Sequence, residues 1–305
     1  MMSQRRLVLA GLEIRLTDVV TLGGLVGLTL LAVAFAGRLE RPVFVIGVNL
    51  LFIAFYVGSL LVLKRLRRKE LRFLVRTGSV QLTFIQIYQT CNYLQLLFFD
   101  WQDGRVLAWE KALFGLQPVV AIQEITSVLL TEWMLFVYVV YVVLYPVLGA
   151  IIFFKRGEEA NEDYLFHLGL VNLLCGIGFI LFPVASPMYW QEVRTLLTTP
   201  LAYGPFGAAA EWIRVHIHQA GGSIPSAHCA VATVMWFMTR KYTKRGFLWL
   251  APVILSLYVS TVYGRFHYVS DAVAGIAAAG LCLLAAPAIR RAWDGRRAVR
   301  PGAGP

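Results

Sequence analysis

Apolar residues in this chain come in long unbroken blocks rather than in the short alternating runs of a half-buried sheet. Eight such blocks stand at 17–36, 43–63, 78–99, 126–154, 164–184, 224–239, 246–263 and 271–289. A helix needs about 20 apolar residues to cross a hydrocarbon core about 30 Å thick, and short charged turns separate these blocks. The pattern predicts an all-α polytopic membrane helical bundle of about eight spans. Ala34-Phe35-Ala36, after an Arg-bearing start, has the form of a leader cleavage site. The block before it is long for a leader, so a retained span is expected.

Composition agrees with the pattern. The chain is 58% apolar and 15% charged, with a mean hydropathy of +0.67, outside the range of soluble globular domains. A net charge of +11 is a common signature of nucleic-acid binding. Here the cations cluster between apolar blocks, where cytoplasmic loops facing an anionic leaflet carry them. Nucleic acid is therefore excluded as a partner. Of the 28 Lys and Arg, 21 fall on the side of the termini and seven on the other. That bias places both termini in the cytoplasm and the remaining loops outside, in a plasma (inner) membrane. The four cysteines stand singly in apolar stretches, which suggests neither a disulfide framework nor a zinc site.

The third block departs from the rest. Gln86, Gln89, Asn92 and Gln95 recur every three residues, and lipid would not accept such a stripe, so it is expected to face the bundle interior. Of the outer segments, 185–223 is the longest, and GAAAEWIRVHIHQ within it has the pattern of an interfacial amphipathic helix anchored by Trp212. His216 and His218, in that stretch, are expected at the surface or interface. His167, near the cytoplasmic end of its block, is expected to be structural.

Two short polar segments concentrate the candidate chemistry. GGSIPSAH (221–228) places glycines and a proline just ahead of an apolar helix. A helix start there offers free N–H groups, and Ser226 adds a hydroxyl, the ingredients of a phosphate site. The same pattern also describes a capped helix carrying a packed histidine. In GRFHYVSD (264–271), His267 and Asp271 lie four apart, so that on a helix the carboxylate could orient the imidazole and leave its second nitrogen free. Asp271 could equally be an ordinary first-turn acid. Two crossings, at 224–239 and 246–263, separate the segments, so His228 and His267 return to the same face. Ionisable groups at the edge of a span are costly, which favours function.

These segments resemble the second and third signatures of the type 2 phosphatidic acid phosphatase superfamily: P-S-x-H at Pro225, Ser226 and His228, and H-x3-D at His267 and Asp271. The resemblance implies a six-span core, here 78–290. The chain then divides into a two-span extension with a basic loop (1–77), that core, and a cytoplasmic tail (291–305). It further implies His267 as nucleophile, Asp271 as its orienting partner and His228 as general acid, with no metal or other cofactor. The superfamily's first signature, Lys-x6-Arg-Pro, is missing: Lys69 to Arg76 has the spacing, but Thr77 replaces the proline and the loop is cytoplasmic. The arginine usual six residues before the third-signature histidine is Thr261. Arg265, Arg194 and Arg214 are the outer-face cations left to bind substrate, alongside Ser226. LFG-x2-P (113–118) and FPVASP (182–187) resemble the branch that includes inositol phosphorylceramide synthases.

The expected function is a membrane lipid phosphatase acting on a lipid phosphate or phospholipid at the outer face through a phosphohistidine. Transfer of a phosphorylated headgroup to an acceptor lipid or polyol is the alternative. A non-catalytic lipid transporter or scaffold, supported by the polar third block, is a rival of another class.

Overall fold

The computed structural model describes residues 7–9, 12–216 and 218–295. Arg5, Arg6 and the 296–305 part of the expected tail lie outside the described residues. Two three-residue strands, β1 (Leu7–Leu9) and β2 (Leu12–Ile14), pair antiparallel with Leu7 opposite Ile14. Helices follow: α1 (Leu16–Ala34), α2 (Pro42–Arg65), α3 (Lys69–Leu94), α4 (Asp103–Phe114), α5 (Pro118–Ala121) and α6 (Val128–Arg156). The second half holds α7 (Glu158–Leu181), α8 (Gln191–Arg194), α9 (Pro205–His216), α10 (Ala227–Tyr242), α11 (Lys244–Tyr263) and α12 (Val269–Gly295). The protein is an all-α polytopic membrane bundle, and α12 continues five residues into the stretch expected to be tail.

All eight predicted blocks are helical, but only six of the described helices are long and apolar enough to cross a membrane: α1, α2, α6, α7, α11 and α12. The other two fall short for different reasons. α3 is long enough, but its glutamines, asparagine and arginines lower its hydropathy. α10 has 16 residues, about 24 Å of helix. α10 does not depend on lipid for a partner. α10 lies in the middle of the bundle among α6, α7, α11 and α12, and every residue from Cys229 to Met235 is buried. The polar stripe of α3 faces protein as expected. Gln86 Nε2 donates to Asn49 Oδ1 on α2 at 2.8 Å, Asn92 is buried, and Gln95 reaches the segment before α10.

The two ends of the bundle differ in kind. At one, Arg76 of α3 makes a two-pronged ion pair with Glu162 of α7 and a third bond to Asp18 of α1, which also accepts from Tyr56 of α2 at 2.8 Å. Arg15 and Arg72 close on Glu158 beside it. This buried network joins the first two helices to the rest and occupies Arg76, so the Lys69–Arg76 spacing carries no phosphate site. Asp163 repeats the device nearby, taking Lys241, Tyr242 and Arg290. At the other end are both signature segments. Gln95 lies 19 residues beyond Arg76 on the same run, about 28 Å of rise.

At that second end the outer helices are anchored through their termini. The Glu132 carboxylate on α6 accepts from the backbone N–H groups of Gly204, Phe206 and Gly207 at 2.9–3.0 Å, at the start of α9. An anion suits the positive end of a helix. A Cβ on Gly204 would come within 2.7 Å of that carboxylate, so the glycine permits the approach.

Candidate active site

The His267 segment is shaped by a turn. α11 stops at Tyr263, and the carbonyl of Thr261 accepts from both Phe266 N and His267 N at 3.0 Å. The position where the superfamily signature has arginine thus closes the turn that presents the histidine. His267 precedes α12, and Asp271 stands in its first turn. His267 Nδ1 lies 3.3 Å from Asp271 Oδ2, which also accepts from Tyr268 N at 3.0 Å. Both side chains are buried.

The other signature arrives from the bundle centre. Ser226 caps α10 by accepting from Cys229 N at 3.3 Å, and its own N–H donates to Asp271 O at 2.9 Å. Gly275 permits this contact, since a Cβ there would come within 2.4 Å of Ser226 O. In the first turn of α10, His228 Nδ1 meets His267 Nε2 at 3.3 Å. Two imidazoles 39 residues apart in sequence therefore share one hydrogen bond. With Asp271 accepting from His267 Nδ1, His267 Nε2 carries the lone pair and His228 Nδ1 the proton aimed at it. One ring then presents a basic nitrogen and the other an N–H directed at it. The capped-helix reading of the first segment also holds: Ser226 is the cap, and its hydroxyl proton is still available to donate.

The segment before α10 is held by the polar end of the α3 run. Gln95 Nε2 donates to Ala220 O at 2.9 Å, and its Oε1 accepts from Gly222 N at 3.1 Å. Gly221 (φ +108°) and Gly222 (φ +63°) adopt conformations that side chains disfavour, and a Cβ on Gly221 would sit 1.8 Å from Gln95 Oε1. The third glutamine repeat therefore sets the approach to His228.

The three candidate arginines come together beside the histidines, around a separate space. Arg194, Arg214 and Arg265 line a cavity of about 420 Å³ with Glu211, Leu135 and Phe266 among its walls. Arg265, in the left-handed region (φ +68°), donates to Gln123 Oε1 at 3.1 Å and to Thr199 O. Arg214 pairs with Glu211. The guanidinium of Arg194 has no hydrogen-bond or ion-pair partner among the described residues. Neither His228 nor His267 lines this cavity. Phe266 links the two regions: it forms one cavity wall and stacks on Tyr138 at 3.9 Å, and Tyr138 in turn stacks on His228 at 4.8 Å.

Sequence reasoning missed three groups here. His218 is half-buried rather than free in solvent: its Nε2 lies 3.1 Å from Tyr138 Oη and its ring packs on Phe266. Burial and the neighbouring His267 push its pKa down to about 4, so it is neutral near pH 7. His216 is exposed, as expected, and stacks on Trp212. Asp103 and Glu110 of α4 are both buried against the segment 267–271. Their spacing of seven, two helical turns, was the only signal in the sequence. His167 is buried with its ring on Asp163, a structural placement. Among the described residues, no group of three or more His, Cys, Asp or Glu is arranged to hold a metal ion.

A family model described as the PAP2 superfamily matches residues 105–285, more than half of the chain. The match runs from within α4 through most of α12 and contains Arg194, Arg214, Ser226, His228, Arg265, His267 and Asp271, while Gln95 and Asp103 precede it. No curated protein and no solved structure matches the chain.

Proposed function

The chain belongs to the PAP2 superfamily, and on that premise we propose that it is an integral membrane lipid phosphatase working through a phosphohistidine at His267. The superfamily supplies the coarse activity, phosphoric ester hydrolysis or phosphoryl transfer. The observation that carries the finer reading is the 3.3 Å meeting of His228 Nδ1 and His267 Nε2 with Asp271 behind the second ring. A substrate phosphorus enters between the two nitrogens, parting the rings. His267 Nε2 forms the N–P bond while the bond from phosphorus to the lipid oxygen breaks. His228 gives its proton to that oxygen, and Asp271 stabilises the cation developing on His267. The hydroxyl of Ser226 and the guanidinium of Arg265, beside Phe266, stabilise charge on the phosphoryl oxygens, with Arg194 and Arg214 drawing the anion in. Water then attacks phosphorus, the N–P bond breaks, and His228 takes the water's proton. No step calls for a metal. The excess of Lys and Arg on the opposite side supports an outward-facing site, with both termini cytoplasmic.

A second reading has one observation in its favour. Hydrolysis needs no pocket beyond the phosphoryl site, yet the arginine-lined cavity lies beside it and has room for another group. An alcohol seated there would intercept the phosphohistidine in place of water. Purified protein given phosphatidic acid, with and without added polyols or lipid alcohols, separates these cases. Inorganic phosphate released in step with diacylglycerol is the expected result. Phosphate appearing only on an added acceptor would establish transfer. Headgroup binding with neither product would support the transporter or scaffold instead.

A further inference from the structure

We propose that Asp103 and Glu110 are positioning residues for the nucleophile, clamping the His267–Asp271 segment from one face of α4 and so fixing the direction of His267 Nε2. The inference rests on the catalytic reading above. The segment alternates its partners along its length. His267 and Asp271 hold each other, while Tyr268 and Ser270, between them, are held by α4. Asp103 Oδ1 accepts from Tyr268 Oη at 3.0 Å and from Ser186 N at 3.2 Å, and Oδ2 accepts from Ala185 N at 2.8 Å. Glu110 Oε1 accepts from Ser270 N at 2.7 Å and from Ser270 Oγ at 3.0 Å. Glu110 thus places an anion at the first turn of α12, one residue from Asp271.

The choice of carboxylates is informative. Asp103 is 0% and Glu110 1% exposed, and burying a charge is far more costly than burying an amide or hydroxyl that could make the same bonds. Burial raises both pKa values, that of Asp103 to about 6, and the charge of Asp271 adds to each shift. α4 is itself well placed to act as a brace: Gln102 N donates to Pro183 O at 2.8 Å, and Trp109 stacks on Phe182 at 5.6 Å. The helix therefore fixes FPVASP and the nucleophile segment relative to each other.

The test uses full-length purified protein and phosphatidic acid, with kcat, KM and the thermal midpoint read for each variant. Glu110→Ala is expected to lower kcat about 10–100-fold with KM within about twofold, because a misdirected nucleophile loses rate rather than binding. Glu110→Gln, whose amide oxygen still accepts from Ser270 N, is expected to recover most of that loss. Ser270→Ala, which removes the hydroxyl donor alone, is expected to cost about threefold in kcat and carries the test if Glu110→Ala does not fold. Lys111→Ala, exposed on the same helix, is expected to change nothing. An active wild type whose Glu110 and Ser270 variants lose only thermal stability, or only KM, would overturn the inference and leave the catalytic reading intact. A wild type without phosphoryl chemistry would overturn both.

Discussion

Replacing His267 with alanine is expected to lower turnover of a lipid phosphate by about 10⁴-fold or more, with substrate binding retained. Loss of a covalent nucleophile removes the reaction path itself, and the residual rate is what charge stabilisation alone supplies. Binding survives because the arginines that draw in the anion stand around a cavity that His267 does not line. Asp271→Asn is expected to fall in the same class. An amide at that position can donate to His267 Nδ1 and reverse its tautomer, an exchange that costs about 10⁴-fold in other imidazole–carboxylate pairs. The check is steady-state turnover together with equilibrium binding of a non-hydrolysable phosphonate lipid. Full activity in His267→Ala would exclude it as the nucleophile.

The largest stability effect is expected far from the chemistry. Arg76→Leu leaves Asp18 and Glu162, both 0% exposed at the side chain, without their common cation. Breaking a buried pair from one side costs about 3–5 kcal/mol, mostly through the charge left uncompensated. Thermal unfolding in detergent should show a large fall in midpoint, while turnover per folded molecule stays within about twofold of wild type. That separation follows from the roughly 28 Å of helical rise between Arg76 and the Gln95 end. A fall in turnover without loss of stability would mean that the two ends are coupled.

Much of this was legible in the sequence because membranes impose simple rules. Block length gave the helices, and charge distribution separated the two ends. The pairing of His228 with His267 followed from counting crossings, since two helices that each traverse the bundle return their ends together. The polar repeat on α3 could be assigned inward because lipid would not take it. The reason for Gln95 was not legible, as its partners lie more than 120 residues away and only the fold brings Ala220 and Gly222 to it. Nor was the reduced number of fully apolar spans, because a window of hydropathy does not show that α10 is enclosed by other helices and needs no lipid-facing surface.

The candidate site was legible as motifs but not as surroundings. His218 sits beyond the end of an amphipathic helix, where periodicity carries no information, and its packing on Tyr138 and Phe266 depends on α6 and on the turn after α11. Asp103 and Glu110 are two acids in a short outer helix whose pattern also suits a solvated face. Burial alone distinguishes them. The arginines were chosen by elimination, and the structure gathers all three around one cavity, but it puts Phe266 rather than a histidine in the wall. That displacement is the physical ground for keeping phosphoryl transfer beside hydrolysis.

The most direct measurement is to trap the intermediate. Purified protein mixed with a lipid carrying radiolabelled phosphate, quenched in alkali where phosphohistidine survives, can be digested and the labelled peptide sequenced. The account predicts label on His267, lost in His267→Ala and accumulating in a variant that slows its hydrolysis. Label on Ser226 or any other residue, or steady turnover with no labelled protein at all, would contradict it.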